Sequence, residues 1–112
     1  MSTDPVYLGE LEQLILLAIL QLGEGAYAVP VRALLKDKAR RSLSRGALYT
    51  SLERLEAKGL LDSRMSEPLA IRGGRARRYF TVTARGVQAL RTAHAAVAGL
   101  TQGLENVLGK RR

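Results

Sequence analysis

The chain contains no cysteine and no tryptophan, a single histidine, and only four tyrosines and one phenylalanine among 112 residues. Without cysteine there is no disulfide, no thiolate metal site and no cysteine nucleophile. His94 alone cannot build a multi-histidine metal centre. No phosphate-cradling glycine loop and no Ser/His/Asp grouping is visible, so neither an enzyme nor a cofactor is expected. The shortage of aromatics leaves the core to Leu, Ile, Val and Ala, and a hydrophobic fraction of 46% is enough to build one. The first 31 residues carry no Lys or Arg, so no secretion-signal start is expected. The longest apolar run, Leu14 to Leu20, is too short to span a bilayer. The expectation is a soluble cytoplasmic protein with no membrane partner.

Charge is the first positive signal. The net charge is +8 and unevenly spread. Residues 1–31 hold Asp4, Glu10, Glu12 and Glu24 with no basic residue. Residues 32–112 hold all 18 basic residues against six acidic ones. An acidic amino end on a strongly basic remainder points to a polyanionic partner met by one face.

Hydrophobic periodicity orders the elements. Leu11, Leu14, Ile15, Ala18, Ile19 and Leu22 recur at helical spacing, and Leu16, Leu17 and Leu20 widen the stripe. This predicts a nearly all-buried helix from Gly9 to Leu22, ended by Gly23 and Gly25. A second helix, opened by Pro30, runs to about Ala39 with Val31, Leu34 and Leu35 inward. Ser44 is a good N-cap for a third, Arg45 to Lys58, with Leu48, Leu52 and Leu55 inward, Ala47 at the margin, and Gly59 as its stop. Beyond Gly59 the period shortens. Leu60–Met65 and Arg77–Thr83 read as strands of a hairpin, with Pro68, Gly73 and Gly74 in the tip between them. Thr83 then caps a last helix expected to run to about Leu108, followed by a basic tail. The fold class is mainly α with a small β-hairpin: a winged helix-turn-helix over residues 1–83, then a dimerisation helix and tail over residues 84–112.

The second and third helices fit a helix-turn-helix, in which the amino end of the second member enters the major groove of double-stranded DNA. Ser44, Arg45, Tyr49, Thr50 and Ser51 are then the candidate contacts, with hydroxyls and one guanidinium as donors to bases or phosphates. By itself this pattern also fits an amphipathic core helix with an ordinary polar face. Arg72, Arg75, Arg77 and Arg78 crowd the hairpin tip around Gly73-Gly74, where arginines can pair phosphates or enter a minor groove. A solvated basic loop is the bland alternative, but the two features around one core are more specific than either. Adjacent strand residues point to opposite faces, so only one of Arg77 and Arg78 is expected to face DNA. Arg32, Lys36 and Arg41 are further phosphate candidates. Glu53 and Glu56, flanked by Arg54 and Lys58, read as surface charge pairing.

Three stretches carry a family resemblance: Leu14-Ile15-Leu16-Leu17-Ala18-Ile19-Leu20, then Gly46-Ala47-Leu48-Tyr49 through Lys58-Gly59-Leu60, then Gly74-Arg75-Ala76-Arg77-Arg78-Tyr79-Phe80-Thr81-Val82-Thr83-Ala84-Arg85-Gly86. In these the sequence resembles the PadR family of bacterial transcription regulators. The resemblance implies a winged-helix domain, a C-terminal dimerisation helix and repression of nearby genes. It puts Tyr49 on the recognition-helix tyrosine and Gly74 and Arg75 on the wing. It also implies that a small aromatic or drug-like effector at the dimer interface can release DNA. Two positions depart from the family: Ala28-Val29 stand where Gly-Tyr is frequent, and Ala76 replaces a frequent wing proline.

The last helix comes after a compact domain is complete. Its stripe of Leu90, Ala93, Val97, Leu100, Leu104 and Leu108 is expected to pair with a two-fold copy, with His94 beside the interface. Such a homodimer places two recognition helices about 34 Å apart on a palindromic operator. Two other functions fit the same sequence: a winged-helix protein-interaction module, and an architectural DNA binder without sequence preference.

Overall fold

The computed structural model describes residues 6–67 and 76–109. Its elements are α1 (Glu10–Leu22), a 3-10 turn (Gly23–Gly25), α2 (Ala28–Ala39), α3 (Arg45–Ala57), β1 (Leu61–Met65), β2 (Arg78–Val82), α4 (Ala84–Thr101) and α5 (Glu105–Leu108). This is the mainly helical winged architecture, with one antiparallel hairpin, that the sequence predicts.

Helix α1 is central and touches α2, α3, α4 and β2. It starts after Gly9, whose N–H donates to the Glu12 carboxylate at 2.9 Å. Glu10 and Glu12 place negative charge at the positive end of the helix dipole. Ile15, Leu16, Ala18 and Ile19 are buried, but Leu17 and Leu20 are each 47% exposed. The expectation of a nearly all-buried helix is thus corrected on one side. Among the described residues no element closes over the gap between α1 and α4, and these leucines line the groove there with Leu90, His94 and Val97.

Helix α2 opens at Ala28, two residues ahead of the expected start. Pro30 therefore sits in the first turn, where its missing N–H costs nothing. The helix ends at Arg40, a non-glycine residue in the left-handed region with φ 58°. Leu48, Leu52 and Leu55 of α3 join Val31, Leu35, Leu60, Leu61 and Phe80 in one core with the inner face of α1. At about 25 cal/mol per Å² of apolar surface removed from water, this cluster is what holds the helices together.

The hairpin pairs Leu61 with Val82, Ser63 with Phe80 and Arg64 with Tyr79. Leu61 and Phe80 face the core. The Phe80 N–H donates to the Ala26 carbonyl at 2.8 Å, tying the hairpin to the segment between α1 and α2. Thr83 caps α4 as expected: its hydroxyl accepts from the Gly86 N–H at 3.0 Å and donates to the Gly59 carbonyl at 2.8 Å. Ala89 and Leu90 complete the core.

The last helix is not continuous to Leu108. It stops at Thr101, and Gly103 takes φ 86°, a conformation that suits glycine and interrupts the helical ladder. The Leu104 N–H turns back to the Thr101 carbonyl at 2.9 Å, and α5 is a single turn. Among the described residues no helix is long and apolar enough to cross a membrane.

Two packing details generate tests. A Cβ on Gly86 would lie 2.4 Å from the Leu60 carbonyl oxygen and 2.7 Å from Val82 Cγ1. Gly86→Ala is therefore expected to cost about 1–3 kcal/mol by overpacking. Gly25→Ala, whose added methyl meets open space, should stay within about 0.5 kcal/mol of the parent. Urea unfolding of both variants checks the difference. The second detail is Glu12, which accepts from Lys58 Nζ at 2.5 Å and joins α1 to the end of α3. Burial raises the Glu12 carboxyl. The hydrogen bond from Lys58, the Gly9 N–H and the charges of Lys58 and Arg54 outweigh that and hold it below its ordinary value of 4.5. The folded-state value is the lower one, so the contribution is complete above pH 4.5 and is lost as pH falls through the depressed value. Glu12→Gln should destabilise at neutral pH, and its deficit should shrink below pH 4.5. Unfolding curves measured across that range test this, and a deficit independent of pH would contradict it.

Candidate nucleic-acid interface

The orientation of α3 follows from its sequence. Leu48, Leu52 and Leu55 are wholly buried, so the opposite stripe of Gly46, Tyr49, Thr50 and Glu53 faces solvent. Ala47, placed at the margin of the buried stripe, is exposed, while Ser51 is half-buried. Ser44 has extended backbone, and its Oγ accepts from the Ala47 N–H at 3.1 Å. The hydroxyl therefore starts the helix and still carries a donor for an outside acceptor.

The turn ahead of α3 is fixed from two sides. Arg32 Nε donates to the Leu43 carbonyl at 2.6 Å. The Arg41 guanidinium pairs with the Glu10 carboxylate. The positive charge of Arg41 is thus balanced within the molecule, whereas Lys36 and Arg45 make no ion pair among the described residues. A groove of about 590 Å³ runs between α2 and the start of α3, lined by Ala28, Val29, Arg32, Ala33, Lys36, Ser42, Leu43 and Arg45. Three cations on one concave surface produce a positive potential that suits a polyanion.

The base of the hairpin separates the two adjacent arginines as strand geometry requires. Arg78 shares the inner face with Phe80 and donates to the Glu56 carboxylate at 2.5 Å and to Ser63 Oγ at 3.1 Å. Arg77 lies on the other face, its guanidinium carbon 4.3 Å from the centroid of the Tyr27 ring. Tyr27 meets Tyr79 edge to face at 5.5 Å, and Arg64 lies 4.9 Å over Tyr79. Arg72, Gly74 and Arg75 fall outside the described residues.

Four participants were not apparent from the sequence. Tyr27 and Arg64 join the arginine–aromatic row only through long-range packing. Glu56 reaches Arg78 across 22 residues, and Lys58 reaches Glu12 across 46. The local pairing expected among Glu53, Arg54, Glu56 and Lys58 is corrected accordingly. Arg54 and Lys58 each stand two residues from Glu56, and helix side chains at that spacing do not face each other. Among the described residues no group of three or more His, Asp or Glu comes together as a metal site. Of the expected dimer stripe, Leu90 packs into the protomer's own core and Ala93 is half-buried. Val97, Leu100, Leu104 and Leu108 are exposed.

A helix-turn-helix whose second helix turns a polar stripe to solvent beside a cationic groove suits a polyanion such as DNA, and comparison with known proteins supplies the family. The model of the transcriptional regulator PadR-like family matches residues 16–92. The chain belongs to the PadR-like family. Its structure is similar to a PadR-like transcription factor from Bacteroides fragilis, with 30% identity and a TM-score of 0.67 over 87% of this chain and 88% of that one. It is likewise similar to a PadR family regulator from Eggerthella lenta, with 30% identity and a TM-score of 0.64 over 91% and 88%. A PadR-like regulator from Bacillus cereus, at 24% identity, shares the fold with a TM-score of 0.69 over 90% and 93%. No curated protein gives a significant match. PadR proteins are transcription regulators that act by binding DNA and are not enzymes.

The Ser44 cap at the start of α3 is open to a direct test. Ser44→Ala is expected to cost about 1 kcal/mol by removing the acceptor of the Ala47 N–H, whereas Ser44→Asp keeps an N-cap and should hold stability close to the parent. Thermal unfolding of the two variants checks this.

Proposed function

We propose that this PadR-like protein is a cytoplasmic repressor that binds a palindromic operator as a homodimer. Arg45, Tyr49 and Thr50, assisted by Ser44 and Ser51, meet the major groove. Arg32 and Lys36 contact flanking phosphates, with Arg41 a weaker member of that set. Arg77, with Arg72, Gly74 and Arg75 of the hairpin tip, grips phosphate or the minor groove. Repression follows from occupying a promoter and excluding polymerase. The observation that carries the reading is the seating of α3: its leucines are wholly buried, its opposite stripe is exposed, and Arg32, Lys36 and Arg45 line the groove beside its amino end.

The dimer is supported by apolar surface left open on the protomer. Leu17 and Leu20 of α1 and Val97 and Leu100 of α4 are exposed, and large apolar side chains this close together are ordinarily covered by a partner. Leu104, Val107 and Leu108 are exposed past the break in the last helix, and Leu108 shares a second cleft with Val97. The interface also offers a place for an apolar effector, beside the α1–α4 groove. The domain division proposed is residues 1–83 for DNA binding and 84–112 for dimerisation, with Leu90 serving the core of the first.

Selection of bound genomic fragments by the purified protein, followed by a salt titration on the best fragment, tests the function. A symmetric site is expected, bound roughly a thousand-fold more tightly than random duplex. Log affinity should fall steeply with log salt, by about one counterion per phosphate neutralised. Tyr49→Ala should weaken the selected site more than random duplex, whereas Lys36→Ala should weaken both alike and lower the salt slope by about one. Equal affinity for all duplexes would favour an architectural binder, and a flat salt dependence would contradict the roles given to the arginines. Sedimentation of Leu100→Asp should show a monomer where the parent is dimeric.

A further inference from the structure

We propose that Tyr27 is a positioning residue for DNA binding, its ring carrying the Arg77 guanidinium at the base of the hairpin and presenting it to a phosphate. The inference rests on the DNA-binding reading above and assigns a new role to a side chain that the recognition helix and hairpin tip leave unexplained.

Arg77 and Arg78 are neighbours with opposite fates. Arg78 donates to Glu56 and Ser63, so its charge is balanced within the molecule and the side chain is tied to α3 and β1. Arg77 makes no ion pair among the described residues. What holds its guanidinium is the face of Tyr27, at 4.3 Å. A ring face attracts the cation through its quadrupole but takes none of the N–H donors, which lie in the guanidinium plane and stay available at the rim. That differs from a salt bridge, which fixes an arginine by consuming the donors a phosphate needs.

The ring is itself held. Tyr79 meets it edge to face at 5.5 Å with an interplanar angle of 67°. The preceding residue, Ala26, is buried and accepts the Phe80 N–H at 2.8 Å. The Arg77 backbone is pinned as well: its N–H donates to Ser66 Oγ at 2.9 Å, and its carbonyl accepts from the Ser66 N–H at 2.8 Å. Both ends of the stacked pair are therefore fixed before DNA arrives, which reduces the side-chain entropy lost on binding. Tyr27 also directly precedes Ala28, where the groove lined by Arg32, Lys36 and Arg45 begins. The stacked arginine thus extends that cationic strip toward the hairpin.

A double-mutant cycle tests the assignment, using a mixed-sequence duplex of about 30 base pairs, roughly three helical turns, at two or more salt concentrations. Arg77→Ala is expected to weaken binding about five- to tenfold and to lower the salt slope by about one. Tyr27→Leu keeps apolar bulk but removes the ring, and should weaken binding about three- to fivefold. In the Arg77→Ala background it should have no further effect. Tyr27→Phe should restore parental affinity, because the ring and not the hydroxyl carries the cation. If Tyr27→Leu weakens binding equally with and without Arg77, or leaves it unchanged while Arg77→Ala weakens it, the positioning role is overturned and the DNA-contact reading stands. If Arg77→Ala changes neither affinity nor slope, both fail at this residue. A readout in the free protein covers the case in which the Leu variant unfolds. The Arg77 side-chain protons should show an upfield ring-current shift in the parent and in Tyr27→Phe, and unshifted protons would overturn the stacking.

Discussion

The burial of Leu48, Leu52 and Leu55 is the constraint on which the rest of the structure depends. These three side chains are wholly excluded from water and fix the rotation of α3 about its own axis. Once that rotation is set, helical geometry leaves Tyr49 and Thr50 outside, with no further instruction needed. The axial position is set by the Ser44 cap and by Arg32 holding the Leu43 carbonyl. Loss of one of these leucines would do more than lower stability by the few kcal/mol usual for such a cavity, because it would free the exposed stripe of α3 to turn.

Electrostatics plays two roles that the net charge of +8 does not separate. Part of the acidic charge at the amino end is used internally: Glu10 meets Arg41 and Glu12 meets Lys58, tying α1 to the helix-turn-helix. Glu56 likewise ties α3 to the hairpin through Arg78. These are partly exposed pairs and contribute modestly to stability. Their larger consequence is to sort the cations. Arg41, Lys58 and Arg78 set their charge against carboxylates of the same molecule, whereas Lys36, Arg45 and Arg77 make no ion pair among the described residues. Fewer cations are thus left without an internal carboxylate partner among the described residues than the composition suggests.

Much of the fold was legible because its signals are local. Ser44 and Thr83 are caps that act within three residues, Gly59 sits at the turn into β1, and leucine spacing reports helix phase directly. The hairpin and the split between Arg77 and Arg78 follow from strand alternation. Three features were not legible, each for a physical reason. Leu100, Leu104 and Leu108 keep four-residue spacing across Gly103, so side-chain periodicity continued where the backbone did not. Helix α1 is apolar nearly all round, and a pattern without a polar face cannot say which side stays open, here that of Leu17 and Leu20. The Tyr27–Arg77 stack and the Glu56–Arg78 pair join residues far apart in sequence, and only the folded chain brings them together. The resemblance to PadR regulators supplied the functional class, while the ion pairs of Arg41 and Arg78 and the stacking of Arg77 on Tyr27 came from the structure.

Hydrogen exchange with and without a bound operator duplex measures the central claim most directly, since it reports which backbone the DNA covers. Slowed exchange is expected in the first turns of α3 from Arg45 to Ser51, in the first turn of α2, and at the Ala76–Arg78 base of the hairpin, with the outer face of α4 from Val97 to Thr101 unchanged. Protection confined to α4, or absent from the start of α3, would contradict the account.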